Sequence, residues 1–517
     1  MNANKGFKNI ITSILSQAIS LAMGVVIPRL VLVNLGSEAN GLLSSINDVL
    51  VYVALLEAGV GMAASQALYG PLGRDDHDAI NGILAATDRF YKRTGRIYLA
   101  IVLLLTFVFP LTIETTLPRS TVMWVMLLSG IPGVIRYFFQ GKYTILLNTE
   151  GKGYILTSMT TVVNICTSFV KIGLLLSGYD VVALQVMYLF FNLAQMFFII
   201  WYIRRNYPWL NLSVEPNTAA ISQSKNVLVH QVSTLIFNNT DALVLTYFCS
   251  LSAVSVYGIY TMLLGIISGV IGAFSGFNYS LGQAFHTNRK QYLKLIDVYE
   301  LFNMTLTFCL YCIANLFILP FLSLYTEGVS GISYVDQYLP YLFIIVKLLS
   351  NGRSSSNMTI TQAGHFKQTQ YRSLLEAAIN IVVSLLCAWK FGIYGVLMGT
   401  IAALLYRSND MILYANLRIL GRNPWITYRR WLLNLALFFI VTVVGKWFFS
   451  FVALDSYFSI ISWAVVTCIV VIPLFFGVAS LCEQEVFHFA LSLLKPYLHK
   501  VKKETIFGEF YDYTDSN

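Results

Sequence analysis

The feature that most constrains this chain is its succession of long apolar runs. IYLAIVLLLTFVFPLTI, LTFCLYCIANLFILPFLSLY and VVTCIVVIPLFFGVASL are each near the length of about twenty residues that a helix needs to cross a bilayer. Lipid offers no hydrogen bonds, so a crossing segment must satisfy its backbone as a helix or as part of a closed barrel. Barrel strands are short and alternate in polarity, whereas these runs do not alternate. The chain is 57% hydrophobic and 11% charged, against about 25% charged in soluble proteins. That composition excludes soluble enzyme folds, nucleic-acid-binding domains and disulfide scaffolds. The expected fold is an all-α polytopic membrane protein with about fourteen transmembrane helices, centred near residues 22, 54, 105, 133, 166, 193, 238, 268, 311, 348, 381, 404, 440 and 470.

The net charge of +9 is distributed by side of the membrane. One set of connections, with both termini, carries Lys5, Lys8, the Arg74 to Arg96 stretch, Lys152, Arg204, Arg205, Lys225, Arg289, Lys290, Lys294, Lys367, Arg372, Arg418, Arg422, Arg429, Arg430, Lys495, Lys500, Lys502 and Lys503. The opposite set carries Arg119 and Lys390. By the positive-inside rule both termini are cytoplasmic, which suits an even number of spans. The N-terminal apolar run is too long for a signal-peptide core and lacks a small-residue cleavage site, so it reads as the first span. Cys166, Cys249, Cys309, Cys312, Cys387, Cys468 and Cys482 lie in or at the ends of spans without a metal-site pattern, and read as packing residues.

The chain also repeats itself. LLNTEGKGYILTSMTTVVNICTSF and MTITQAGHFKQTQYRSLLEAAINIVVSLL share a short loop with Gly and Lys followed by an Asn-bearing apolar helix. Gly151 and Gly364 are 213 apart, Asn164 and Asn380 are 216, Gly178 and Gly392 are 214, and Gln17 and Gln231 are 214. Spans 1–6 and 7–12 are therefore expected to be two pseudo-symmetric six-helix bundles, sharing orientation and leaving a cavity between them. The boundaries so read are 1–205 for the N-lobe, 206–225 for a cytoplasmic connector and 226–416 for the C-lobe. Two extra spans follow within 417–482, and residues 483–517 form an interfacial helix and tail.

The helix plan of two sixes and a pair, the opening SQAISLAMGVVIPRLVLVNLG followed by Asn40 and Gly41, and the Gly-Lys loop before the Asn-bearing helix resemble one family. These features are similar to the Wzx-type flippases of the multidrug/oligosaccharidyl-lipid/polysaccharide exporter superfamily, along the whole chain. The resemblance implies export of an undecaprenyl-diphosphate-linked oligosaccharide from the inner to the outer leaflet of a bacterial cytoplasmic membrane by alternating access. It implies a role in O-antigen or capsule biosynthesis, beside other membrane proteins of that pathway. It implies no enzymatic step and no cofactor beyond a possible coupling ion, Na+ or H+.

An ionisable group at bilayer depth costs about 3 kcal/mol or more on insertion scales, so each one must face a cavity or a partner. The candidates are Arg29, Asp48, Glu57, Arg136, Lys142, Lys171, Asp241, Lys347, Arg353, Glu376, Arg407, Asp410 and Lys446. Lys142, Glu376, Asp410 and Lys446 lie near expected helix ends, where side chains reach headgroups. Arg29 and Asp48 share a depth and either pair with each other or leave Arg29 to attract an anion. Lys171 has no carboxylate in its own helix and is expected to face a cavity. Arg136 and Arg353 occupy equivalent spans 4 and 10 at an offset of 217, with Lys347 nearly two turns away from Arg353. Together they suit a diphosphate, although snorkelling to cytoplasmic headgroups is the plainer alternative. Asp241, beside Asn238, Asn239 and Thr240, is a candidate for binding sodium or a proton, or for pairing with a cation such as Lys171. Glu57 is the other deep carboxylate.

RDDHD at residues 74–78 resembles acidic metal motifs but is expected to start a solvated helix, where acids favour the dipole. Two other functions compete with a flippase. A drug/cation antiporter of the same superfamily would show a carboxylate-dominated cavity and usually twelve spans. A membrane polysaccharide polymerase or glycosyltransferase would show a long outer loop or a soluble catalytic domain.

Overall fold

A computed structural model describes residues 3–54, 57, 60–218, 239–273, 281, 285, 288–329 and 331–493. Ser222, Lys225, Gln231 and Asn238, the final part of the connector and the basic C-terminal tail from residue 494 lie outside the described residues. Among the described residues there is no strand. Every expected span centre except residue 238 falls within a described helix. Nine described helices are long and apolar enough to cross a membrane. Five of the fourteen expected spans are not among these nine: the first two run together as Ala3–Ala54 across a non-helical Gly36, the centre of the seventh lies outside the described residues, the tenth is broken at Arg353 into Leu339–Gly352 and Ser354–Gln362, and the twelfth is the helix Ile393–Tyr414.

Helix ends follow the local chemistry of the sequence. Asp76 accepts from the Ala79 N–H at 3.0 Å and caps His77–Thr112, as the acidic RDDHD run predicts. Asp180 caps Val181–Asn206 in the same way through Ala183. The four glycines that mark the repeat all stop helices in the left-handed conformation, with φ of 78° at Gly151 and Gly178, 68° at Gly364 and 55° at Gly392. Both repeated glycine landmarks thus have the same left-handed backbone in the two halves of the chain.

The chain divides into two compact units. The first comprises Met1–Ile266, Leu322–Phe343 and Phe366–Leu404. In its core Leu42, Ile46 and Val49 of the second span pack with Phe109, Val122 and Met126, while a separate cluster gathers Tyr91, Tyr98 and Tyr137. A polar row ties the second span to the later part of the seventh and the start of the eighth. Tyr52 bonds Thr240 at 2.9 Å, Ser45 bonds Thr246 at 2.7 Å, Asn40 donates to Ser255 at 2.8 Å, and Ser252 donates to Ser37 at 3.5 Å. Gly41 lies on the same face, where a Cβ would stand 1.8 Å from the Leu251 carbonyl oxygen, so only glycine permits this approach.

The second unit comprises Ile267–Phe321, Ile344–His365 and Leu405–Asn517. Helix Arg289–Tyr325, the most buried of the candidate spans, belongs to this unit as far as Phe321, and the helices Trp425–Phe449 and Tyr457–Cys482 belong to it whole. The residues read from sequence as cytoplasmic loop charges form a buried network here. Arg430, 2% exposed, reaches Asp297 at 3.0 Å, Glu300 at 3.3 Å and Glu483 at 2.6 Å. Arg422 bonds Asp297 and Glu300, and Arg429 bonds Glu483 at 2.9 Å. Burial opposes the charge on Glu483, but hydrogen bonds and charge from Arg430 and Arg429 outweigh it and hold the carboxyl below its ordinary range.

Candidate functional sites within the two units

Arg136 opens a single π-helical turn, Arg136–Gln140, that interrupts the fourth span between Arg119–Ile135 and Gly141–Thr149. Such bulges re-aim side chains and recur at functional positions. Glycine explains why the bulge fits here. A Cβ on Gly141 would stand 2.4 Å from the Tyr91 ring, and one on Gly133 would stand 2.4 Å from the Tyr98 hydroxyl. The bulge leaves the Arg136 side chain 62% exposed, 3.9 Å from Glu57, whose other oxygen accepts from the Tyr91 hydroxyl at 2.5 Å. A pair at that distance on an exposed guanidinium is weak, so most donors of Arg136 remain available to a ligand. Glu57 is thus a hydrogen-bonded neighbour of Arg136.

Arg353, in the second unit, stands at the corresponding interruption of the tenth span. It occupies the position before Ser354–Gln362, directly after Gly352, and the Trp431 indole lies 2.4 Å from where a Gly352 Cβ would be. Both arginines therefore sit where their span breaks against an aromatic ring on a glycine. Lys347, one helix segment earlier, has no ion pair among the described residues. Its neighbour Asn351 bonds Tyr311 at 3.2 Å and Ser268 at 3.4 Å.

The deepest carboxylate has a different environment from the one expected. Asp241 is 3% exposed, and its partners are neutral groups from three other helices. The Thr400 hydroxyl donates at 2.7 Å, the Tyr257 hydroxyl at 2.8 Å and the Asn380 amide at 3.4 Å. Asn380 also donates to Thr400 at 3.0 Å, while its own amide oxygen is buried with no hydrogen-bond partner. The Val396 carbonyl accepts from Thr400 and from Ser384, both at 3.3 Å. Gly395 and Gly399 make this convergence possible. A Cβ on Gly399 would lie 2.1 Å from the Ser384 hydroxyl, so the helices Phe366–Phe391 and Ile393–Tyr414 approach backbone to side chain. The result is a knot of hard oxygens around one buried carboxylate with no cationic partner among the described residues, an arrangement suited to a hard cation or a proton.

Several expectations require correction. Lys171 does not pair with Asp241; its ammonium lies 5.0 Å over the Tyr188 ring. Of the neighbours expected to surround Asp241, Thr240 instead bonds Tyr52. Arg29 and Asp48 do not form an ion pair. Arg29 donates to the carbonyls of Leu324 and Tyr325, at the C-terminal end of Arg289–Tyr325 where the helix dipole favours a cation. Asp48 has no cationic partner among the described residues and lies within electrostatic reach of Asp241. Lys142 does not snorkel to headgroups; it is buried and paired with Asp88. Asp410 pairs with Arg407 at 2.7 Å.

Among solved structures, a lipid flippase and multidrug transporters share this architecture. The chain is similar to the lipid II flippase MurJ in an inward closed conformation, with a TM-score of 0.67 at 15% identity over 92% of this chain and 99% of that one. It is also similar to an inward-facing multidrug-resistance MATE transporter of the MOP superfamily, with a TM-score of 0.61 at 14% identity over 77% of this chain and 94% of that one. The MATE multidrug transporter DinF-BH in complex with R6G matches with a TM-score of 0.54 at 15% identity over 80% of this chain and 95% of that one. No family model matches the chain, and no curated protein matches it in sequence. At these identities the likeness establishes the fold.

Proposed function

We propose that the protein is a flippase that moves an undecaprenyl-diphosphate-linked oligosaccharide from the inner to the outer leaflet of a bacterial cytoplasmic membrane by alternating access, for surface polysaccharide biosynthesis. The observation that carries this reading is the extent of the structural likeness. The match to a lipid II flippase takes in 92% of this chain, whereas the MATE drug transporters take in 77% and 80%. A chain whose length beyond the MATE match is accommodated by a lipid flippase is better explained by a lipid-linked cargo.

The charge inventory supports the same cargo. A diphosphate brought to bilayer depth requires fixed cations to replace its water. The candidates are Arg136, Lys171 and Arg29 in the first unit and Arg353 and Lys347 in the second, with Arg136 and Arg353 the principal ones because a guanidinium clasps two phosphate oxygens at once. Glu57 orients Arg136. Asp241, with Asn380, Thr400 and the Val396 carbonyl, holds the coupling ion, sodium or a proton, and Asp48 contributes negative charge nearby. No bond of the cargo is made or broken, so the protein is a transporter and not an enzyme.

The test is exposure of lipid-linked glycan in the outer leaflet of cells carrying Arg136→Gln, Arg353→Gln or both, normalised to protein level. Losing one charge-assisted phosphate contact of about 1.5–3 kcal/mol weakens apparent affinity tenfold or more, and Lys at either position rescues poorly. Normal transport by both single variants would remove the arginines from the cargo site.

A further inference from the structure

We propose that a notch in the first unit, on the side that the loop charges assign to the outside, binds the ammonium group of a phosphatidylethanolamine headgroup. The inference goes beyond the flippase reading and does not depend on the cargo.

The notch has a volume of about 330 Å³ and is built from three connections. Cys249 and Val256 come from the start of the eighth span. Asp336 comes from the segment between Arg289–Tyr325 and Leu339–Gly352. Phe391, Ile393 and Tyr394 come from the turn between Phe366–Phe391 and Ile393–Tyr414. That turn is fixed by Gly392 at a φ of 55°, and a Cβ there would meet the Cys249 sulfur at 3.8 Å. The volume is at the lower end of the roughly 300–1,000 Å³ of small-molecule sites, enough for a headgroup.

Asp336 decides the chemistry. One oxygen accepts from the backbone N–H groups of Tyr338 at 2.7 Å and Leu339 at 3.0 Å, which caps the following helix. The other accepts from the Tyr394 hydroxyl at 2.5 Å. Burial opposes the charge, but these hydrogen bonds outweigh it and hold the carboxyl below its ordinary range. All three donors are neutral, and Asp336 has no cationic partner among the described residues. A full negative charge therefore lines the notch, with acceptor capacity remaining on the oxygen bonded to Tyr394.

The surroundings select the ligand. Phe391, Tyr338 and Trp389 are exposed, with Trp389 at 84%, as in the aromatic belt at a membrane interface. Aromatic faces and a carboxylate together attract an organic cation. A phosphate alone would be repelled by Asp336, whereas in phosphatidylethanolamine the ammonium meets the carboxylate and the phosphate, two carbons away, has the Lys390 ammonium nearby, 5.5 Å over the Phe391 ring. A neutral sugar would leave its charge uncompensated and find few other polar groups, since the Ser333 hydroxyl already donates to the Val335 carbonyl at 3.1 Å. At headgroup level a group of matching charge is the ammonium of phosphatidylethanolamine.

Native mass spectrometry of the full-length protein, titrated with phosphatidylethanolamine or phosphatidylglycerol, tests the proposal. Phosphatidylethanolamine should bind about tenfold more tightly, and Asp336→Asn should remove that difference while leaving phosphatidylglycerol binding unchanged. Asn also caps helices, so the variant should fold, which its unfolding temperature checks. Tyr394→Phe keeps the carboxylate and should retain the preference. Undiminished phosphatidylethanolamine binding by Asp336→Asn, or equal binding of the two lipids by the parent, would overturn the site. Soluble ethanolamine competing at the same concentration as the lipid would make a free amine the occupant and overturn the lipid assignment.

Discussion

Replacing Asp241 with Asn separates a coupling group from a structural one. The carboxylate accepts two short hydrogen bonds, from Thr400 at 2.7 Å and Tyr257 at 2.8 Å, and a long one from Asn380 at 3.4 Å. Hydrogen bonds to a charged group contribute about 1.5–3 kcal/mol and neutral ones about 0.5–1.5, so neutralising the acceptor removes about 1 kcal/mol from each short bond, about 2 in all. Against this, a buried charge without a counter-ion costs several kcal/mol. Asp241→Asn should therefore fold with unchanged or greater stability when no coupling ion is present. The parent, by contrast, should gain about 2.7 kcal/mol from its ion at one hundred times the dissociation constant, a rise of several degrees in unfolding temperature. The assay is thermal unfolding of purified protein in sodium chloride against choline chloride at fixed pH, then across pH at fixed sodium. Sodium should stabilise the parent and leave the variant unmoved, and if the ion is a proton the difference between the parent and variant curves should change with pH, because Glu483 shifts both alike. An equal response from Asp241→Asn, or a variant too unstable to purify, would refute the reasoning.

On the flippase reading, the polar row joining residues 37–52 to residues 240–255 parts during alternating access. With the native cysteines replaced, Ser45→Cys paired with Thr246→Cys should abolish transport on oxidation and recover it on reduction; undiminished transport by a fully cross-linked protein would contradict this role. Glu483, held below the ordinary carboxylate range, contributes stability that is present above the unfolded value near 4.5 and is lost as pH falls through the lower folded value. Glu483→Gln should lower stability by about 1.5–3 kcal/mol at neutral pH, and its unfolding curve should converge with that of the parent in acid; a gap of constant size across the pH range would count against the ion network.

The helices were legible in the sequence because length, apolarity and capping are local properties. Asp76 at the start of its helix and glycine at Gly151, Gly178, Gly364 and Gly392 are readable without knowing what packs where. Arg136 and Arg353 were legible only as matched positions; the π turn at Arg136 and the break at Arg353 were not, since each depends on the ring that presses on Gly141 or Gly352. Partners of buried charges were not legible. Asn380 is 139 residues from Asp241 and Thr400 is 159, and periodicity reports which face a residue occupies but not which helix meets it. A signal did exist in the GVLMGT string at residues 395–400, where two glycines one turn apart announce a close helix approach next to Thr400. The arginines read as cytoplasmic loop charges misled in the opposite sense. Arg430 counts toward the positive-inside reading, yet it is buried against three carboxylates.

The flippase reading is tested most directly by purified protein in proteoliposomes that carry a lipid-linked oligosaccharide diphosphate in one leaflet, with its appearance in the other followed by an impermeant glycan-directed probe. Translocation that exceeds protein-free vesicles, falls at least tenfold in the Arg136→Gln, Arg353→Gln double variant and is not competed by cationic dyes is the expected result. Cation efflux from the same vesicles, with no movement of the lipid-linked glycan, would contradict it and make the protein a drug antiporter.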